Sequence, residues 1–75
     1  MKILKKMTVA NLTAILDTKL ELSRMGCKPT KIKMNFNTKE GYTELLGGIN
    51  RSSFYGMEII IDEDLDYGIV DIVQD

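Results

Sequence analysis

Val9, Leu12, Ile15, Leu16 and Leu20 recur at helical spacing, Leu22 and Met25 extend the stripe, and Gly26 closes it. That pattern predicts an amphipathic helix stopped by glycine. Thr8 reads as its N-cap, with Met7 placed to pack against Leu12. Pro29 then pushes Lys28 toward extended geometry. Beyond it Ile32, Met34 and Phe36 alternate with Lys31, Lys33 and Asn35, the period of a strand with one covered and one wet face. Asn37 with Glu40 forms a capping-box pattern for a second helix, in which Tyr42, Leu45, Leu46 and Ile49 recur at i, i+3, i+4 and i+7 and Gly47-Gly48 mark the end. "INRSSFY" reads as a connector. Gly56 releases the chain into a β-branched run from Met57 to Asp62, and a last strand is expected from Tyr67 to Val73.

The expected order is therefore α-β-α-β-β. This is an α+β fold: a small three-stranded sheet with two helices packed on one face. With 75 residues and 44% hydrophobic content, the chain has room for a single core spanning 1–75. Residues 1–7 read as a flexible N-terminal segment, its lysines forming a solvated end. A core this small leaves little net stability, which keeps a homo-oligomer among the expectations.

Charge changes the picture more than composition does. Residues 1–33 hold eight basic side chains (Lys2, Lys5, Lys6, Lys19, Arg24, Lys28, Lys31, Lys33) against Asp17 and Glu21, a balance of +6. From Met34 onward Lys39 and Arg51 face nine acids (Glu40, Glu44, Glu58, Asp62, Glu63, Asp64, Asp66, Asp71, Asp75), a balance of −7. Such a split can steer a charged partner, or the two halves can pair with each other, Glu58 and Asp62 lying beside Lys31 and Lys33. Histidine is absent, which removes the commonest general base and the familiar triads and zinc motifs. The one cysteine, Cys27, can form no intrachain disulfide and fits a half-buried place in a reducing compartment. No apolar run suggests a membrane span, so a cytoplasmic protein is expected.

The acidic run Asp62 to Asp66 is the densest chemical signal. Asp62, Asp64 and Asp66 imitate the first ligands of an EF-hand loop. However, Tyr67 stands where that loop needs glycine and Val73 where it needs a bidentate glutamate. No nucleophile or oxyanion donor is spaced around the run, so catalytic, metal and cofactor roles are not expected there. It reads instead as a solvated hairpin turn between the last two strands. Aromatics are few and are not interleaved with basic residues, which argues against direct nucleic-acid binding. Tyr42 is expected in the core, while Phe54 and Tyr55 are expected to be exposed on the connector.

Two segments, "MGCKPTKIKMNFNTKEGYTELLGG" and "FYGMEIIIDEDLDYGIVDI", together resemble part of the axial domain of the HK97-type phage major capsid proteins. The likeness runs from Thr8 to Val73. Glu58 and Asp66 stand where that family places prolines, and the long spine helix, the extended arm and the shell-knitting loop have no counterpart here. The resemblance implies a small phage- or prophage-encoded protein that works by contact, host-cytoplasmic or virion-associated, with no catalytic residue carried over. The expected function is binding of a protein partner in a capsid-related or accessory role. Arg51, Phe54 and Tyr55 on the connector and Glu63, Asp64 and Asp66 on the turn are the candidate contact residues. An inhibitor of a host nucleic-acid-handling or defence protein, presenting an acidic phosphate-mimicking face, is the alternative. A small-ligand binder ranks below both, because so small a core seldom spares a pocket.

Overall fold

The computed structural model describes residues 1–8, 11–45 and 53–75, with the side chains of Leu12 and Leu45 excepted. Its elements are β1 (Lys2–Thr8), α1 (Leu12–Arg24), β2 (Lys31–Met34), α2 (Phe36–Leu45), β3 (Ser53–Phe54), β4 (Met57–Ile61) and β5 (Ile69–Gln74). The class is α+β, with helices on a sheet, but the described residues build five strands where three were expected.

The strand order is β1-β5-β2-β4-β3. β2 and β4 are parallel neighbours, while β5 runs antiparallel to both β2 and β1. The last two strands therefore form no hairpin: β2 lies between them, and the acidic run is a crossover passing one end of that central strand.

The first addition is β1. Lys2–Thr8 pair along β5 from Lys2↔Gln74 to Thr8↔Ile69, with a bulge between Ile3 and Lys5, so this segment is an edge strand and not a free lead. The second is β3, joined to β4 through Tyr55 and Gly56 at φ +48 and +80. Two successive left-handed residues define the two-residue hairpin turn whose twist matches that of the strands, and glycine at its second position lowers the strain.

α1 is capped three residues later than expected. Asn11 is the N-cap, its side chain accepting from Ala14 N at 3.0 Å, and Thr8 belongs to β1. At the other end Cys27 N donates to Leu22 O at 3.0 Å and Gly26 N to Ser23 O at 3.1 Å, a Schellman closure with Gly26 at φ +86. Ile15 and Leu22 are buried and Leu16 is half-buried, while Leu20 and Met25 are exposed. The inward face is thus narrower than the apolar stripe. α2, by contrast, starts early. Asn35 caps it, accepting from Thr38 N at 2.7 Å, and Phe36 opens the helix, exposed, instead of prolonging the strand.

Ile32 and Met34 of β2, Met57 of β4 and Val70 and Ile72 of β5 share one sheet face and form a single buried cluster with Ile15 and Leu22 of α1 and Tyr42 of α2. Both helices thus feed one core on one face, and Cys27 packs half-buried against it. The other face carries a row across three strands, in which Asp71 of β5 lies in register between Lys6 and Lys33. Asp71 is buried there, with Lys6 Nζ 3.8 Å from its Oδ1. One strand pair along, Lys31 lies opposite Glu58 and bonds Asp75 at 2.9 Å. Part of the charge split is therefore two halves of the chain meeting across the sheet.

Candidate protein-docking site

The crossover from β4 to β5 is built from short local bonds. Asp62 N extends the β2–β4 ladder by donating to Met34 O at 2.9 Å, and Asp62 Oδ1 turns the chain by accepting from Asp64 N at 3.0 Å. Leu65 N returns to Asp62 O at 3.2 Å, and the Leu65 side chain is buried, anchoring the loop from below. Gly68, at φ +83, lets the chain enter β5.

The first turn of α2 holds this loop in place. Asn35 Nδ2 donates to Leu65 O at 3.1 Å while Asn35 Oδ1 accepts from both Thr38 N and Thr38 Oγ1 at 2.7 Å. Gly68 N donates to Thr38 Oγ1 at 3.0 Å. Glu63 Oε1 accepts from Phe36 N at 3.0 Å, placing a carboxylate at the positive end of the helix. Glu63, Asp64 and Asp66 all remain exposed. Around them lie the exposed apolar side chains Phe36, Ile61 and Tyr67. Tyr67 lies against the bare face of Gly41, where an added Cβ would stand 3.0 Å from the phenol oxygen. A shallow depression of about 420 Å³ opens there, lined by Gly41, Tyr42, Glu44 and Tyr67, and its neighbour adds Asn37, Glu40 and Thr43. The surface is therefore acidic and aromatic together, and its backbone is fixed.

Of the six residues singled out from sequence, Glu63, Asp64 and Asp66 share this surface. Phe54 does not: it is buried and meets Tyr42 edge to face with ring centroids 5.5 Å apart, because β3 turns its side chain into the core. Tyr55 is exposed on the β3–β4 turn, where its carbonyl accepts from Lys19 Nζ. The whole of β4, about 16 Å of strand, separates Tyr55 from the acidic crossover. Arg51 lies outside the described residues. Sequence reasoning missed Phe36, Glu40, Glu44, Ile61 and Tyr67. The i, i+4 pair Glu40 and Glu44 on the polar side of α2 was the available signal for part of this set.

Two groups have displaced protonation behaviour. Burial, then the neighbouring Tyr67, pushes the Tyr42 phenol up to about 12. The hydrogen bond to Asp75, which outweighs desolvation, raises the Lys31 ammonium, with the charges of Asp75 and Glu58 adding to it. Both move away from neutrality. Among the described residues no three carboxylates or thiols converge as a metal-holding group, and no helix is long and apolar enough to cross a membrane.

Comparison of the chain with protein-family models, with curated proteins and with solved structures returned no match.

Proposed function

We propose that this chain is a non-catalytic protein-binding protein whose acidic, aromatic surface over the β4–β5 crossover and α2 docks a basic protein partner. The observation that carries the reading is the bonding of the crossover. Glu63, Asp64 and Asp66 are exposed, yet their loop is tied to α2 through Asn35, Thr38 and Phe36 N. A surface ordered before contact loses less conformational entropy on binding, and exposed Phe36, Ile61 and Tyr67 add apolar area beside the charge. The shifted groups point the same way, since neither Tyr42 nor Lys31 is poised for proton transfer near neutral pH.

The two-segment resemblance supports a phage or prophage source and a capsid-related or accessory role, in the host cytoplasm or on the virion. The inhibitor reading draws on the same fixed carboxylates, which can stand in for phosphates on a nucleic-acid-handling or defence protein.

The deciding experiment is capture of partners from infected or lysogenic cells on the wild-type chain and on the Asp64→Lys, Asp66→Lys double variant, followed by a salt series on each captured protein. A partner held by the wild type and lost by the variant supports docking at this surface. If that partner is a nucleic-acid-handling protein released steeply by salt, the inhibitor reading replaces the capsid-related one. Equal capture by both chains overturns the site.

A further inference from the structure

We infer a second binding surface at the β1 end of the strand order: the edge of β1 that no described strand covers, with the groove between β1 and α1, accepts an extended acidic segment of a partner protein by strand addition.

Three observations meet at this edge. First, β1 is seven residues long and occupies the end of the strand order among the described residues, so the outward N–H and C=O groups of Lys2–Thr8 are presented as a template. Second, the chemistry of the edge selects its occupant. Lys2, Lys5 and Lys6 are all exposed along it, so a second copy of β1 would bring lysine against lysine, whereas an acidic strand would be matched. Lys6 is partly engaged by Asp71 at 3.8 Å, which leaves Lys2 and Lys5 as the main attractors.

Third, a cavity of about 400 Å³ opens beside the strand, lined by Leu4 and Lys5 of β1 and by Thr18, Glu21, Leu22 and Met25 of α1. Met25 is 69% exposed at its rim, and Leu22 forms part of the core behind it. Strand addition draws affinity from main-chain hydrogen bonds and specificity from pockets that take alternate side chains. The bulge between Ile3 and Lys5 brings Lys5 to the groove alongside Leu4. An apolar anchor flanked by Asp or Glu fits that arrangement, with the anchor kept clear of Glu21. The inference deepens the protein-binding reading and rests on it, but it names a different surface and the opposite partner charge.

The test is selection from a random display library of peptides of about ten residues against the whole chain, followed by backbone-amide and methyl NMR with each enriched peptide. The expected peptides carry acidic residues around an apolar one, shift and protect the amides of Lys2–Thr8, and perturb Leu22 and Met25. Lys5→Glu, a surface change that leaves the core intact, should weaken them about tenfold. Enrichment of basic peptides that perturb Asp62–Gly68 instead would overturn this edge while leaving the crossover surface standing. A selection that enriches nothing would overturn the edge and weigh against peptide docking at either surface.

Discussion

The buried hydroxyl of Thr38 accepts a hydrogen bond from the backbone amide of Gly68 at 3.0 Å while donating to Asn35 Oδ1 at 2.7 Å. One small side chain thus links the first turn of α2 to the last bend of the acidic crossover. Thr38→Val keeps the shape and removes both bonds, leaving Gly68 N without its acceptor, and should cost about 1 to 3 kcal/mol in urea unfolding. Thr38→Ser should recover most of that loss. A valine variant as stable as the wild type would show that the hydroxyl carries no such link.

Asn35 performs two tasks with two atoms, capping α2 through Oδ1 and holding Leu65 O through Nδ2. Asn35→Asp keeps the acceptor and loses the donor, so the two tasks separate. Amide exchange should quicken across residues 63–68 while the first turn of α2 stays protected. Equal loosening of both would mean that the cap and the loop are one unit.

High pH should destabilise the fold in two ways of the same sign. Tyr42 ionises near 10.0 when unfolded but near 12 when folded, so between these values the unfolded state releases its proton first and gains. At the top of that window the loss approaches about 2 kcal/mol. Lys31, raised when folded, contributes stability below the ordinary lysine value of 10.5 that fades as pH climbs through its folded value. Tyr42→Phe deletes a buried hydroxyl with no hydrogen-bond partner among the described residues, so it should cost nothing at neutral pH and should shallow the alkaline fall. Thermal melts of both chains at neutral pH and at about pH 11 read this out.

Two glycines should respond oppositely to alanine. Gly68, at φ +83 with open space where a Cβ would go, should lose about 1 kcal/mol from backbone strain alone. Gly41 sits inside α2, and among the described residues the close neighbour of its added Cβ is the phenol of Tyr67, which is 69% exposed and free to swing aside. Gly41→Ala should therefore gain about 0.5 kcal/mol in chemical denaturation. A loss there would mean that the Tyr67 ring is held in place.

The period-two run around Ile32 and Met34 was legible because a half-covered strand writes its burial directly into alternation, and both residues are fully buried. The same rule misread Phe36, since Asn35 diverts the chain into a helix just before it. Lys2–Thr8 gave no clean alternation: the bulge at Ile3/Lys5 breaks the period, and an edge strand tolerates lysines that a central one would not. Tyr55-Gly56 read only as the end of a connector, because tyrosine is not a usual first residue of a left-handed hairpin turn and a two-residue strand is too short to announce itself by pattern. Strand order was the least legible feature. β4 and β5 follow one another, yet the partners of β5 are β2 and β1, chosen by contacts far apart in the chain. The acids of the candidate site could be counted from the sequence. That Glu63 would cap α2, that Phe54 would turn inward and that Tyr67 would lean on Gly41 depended on packing.

Since β5 sits between β1 and β2, the amino-terminal ribbon has nowhere to anneal until the carboxy-terminal one has slotted in beside β2. Closure of such distant pairs is slow compared with helix formation, so assembly should wait on this one insertion. Undoing it strips both flanks at once, which favours loss of the sheet in a single cooperative step over fraying from one side.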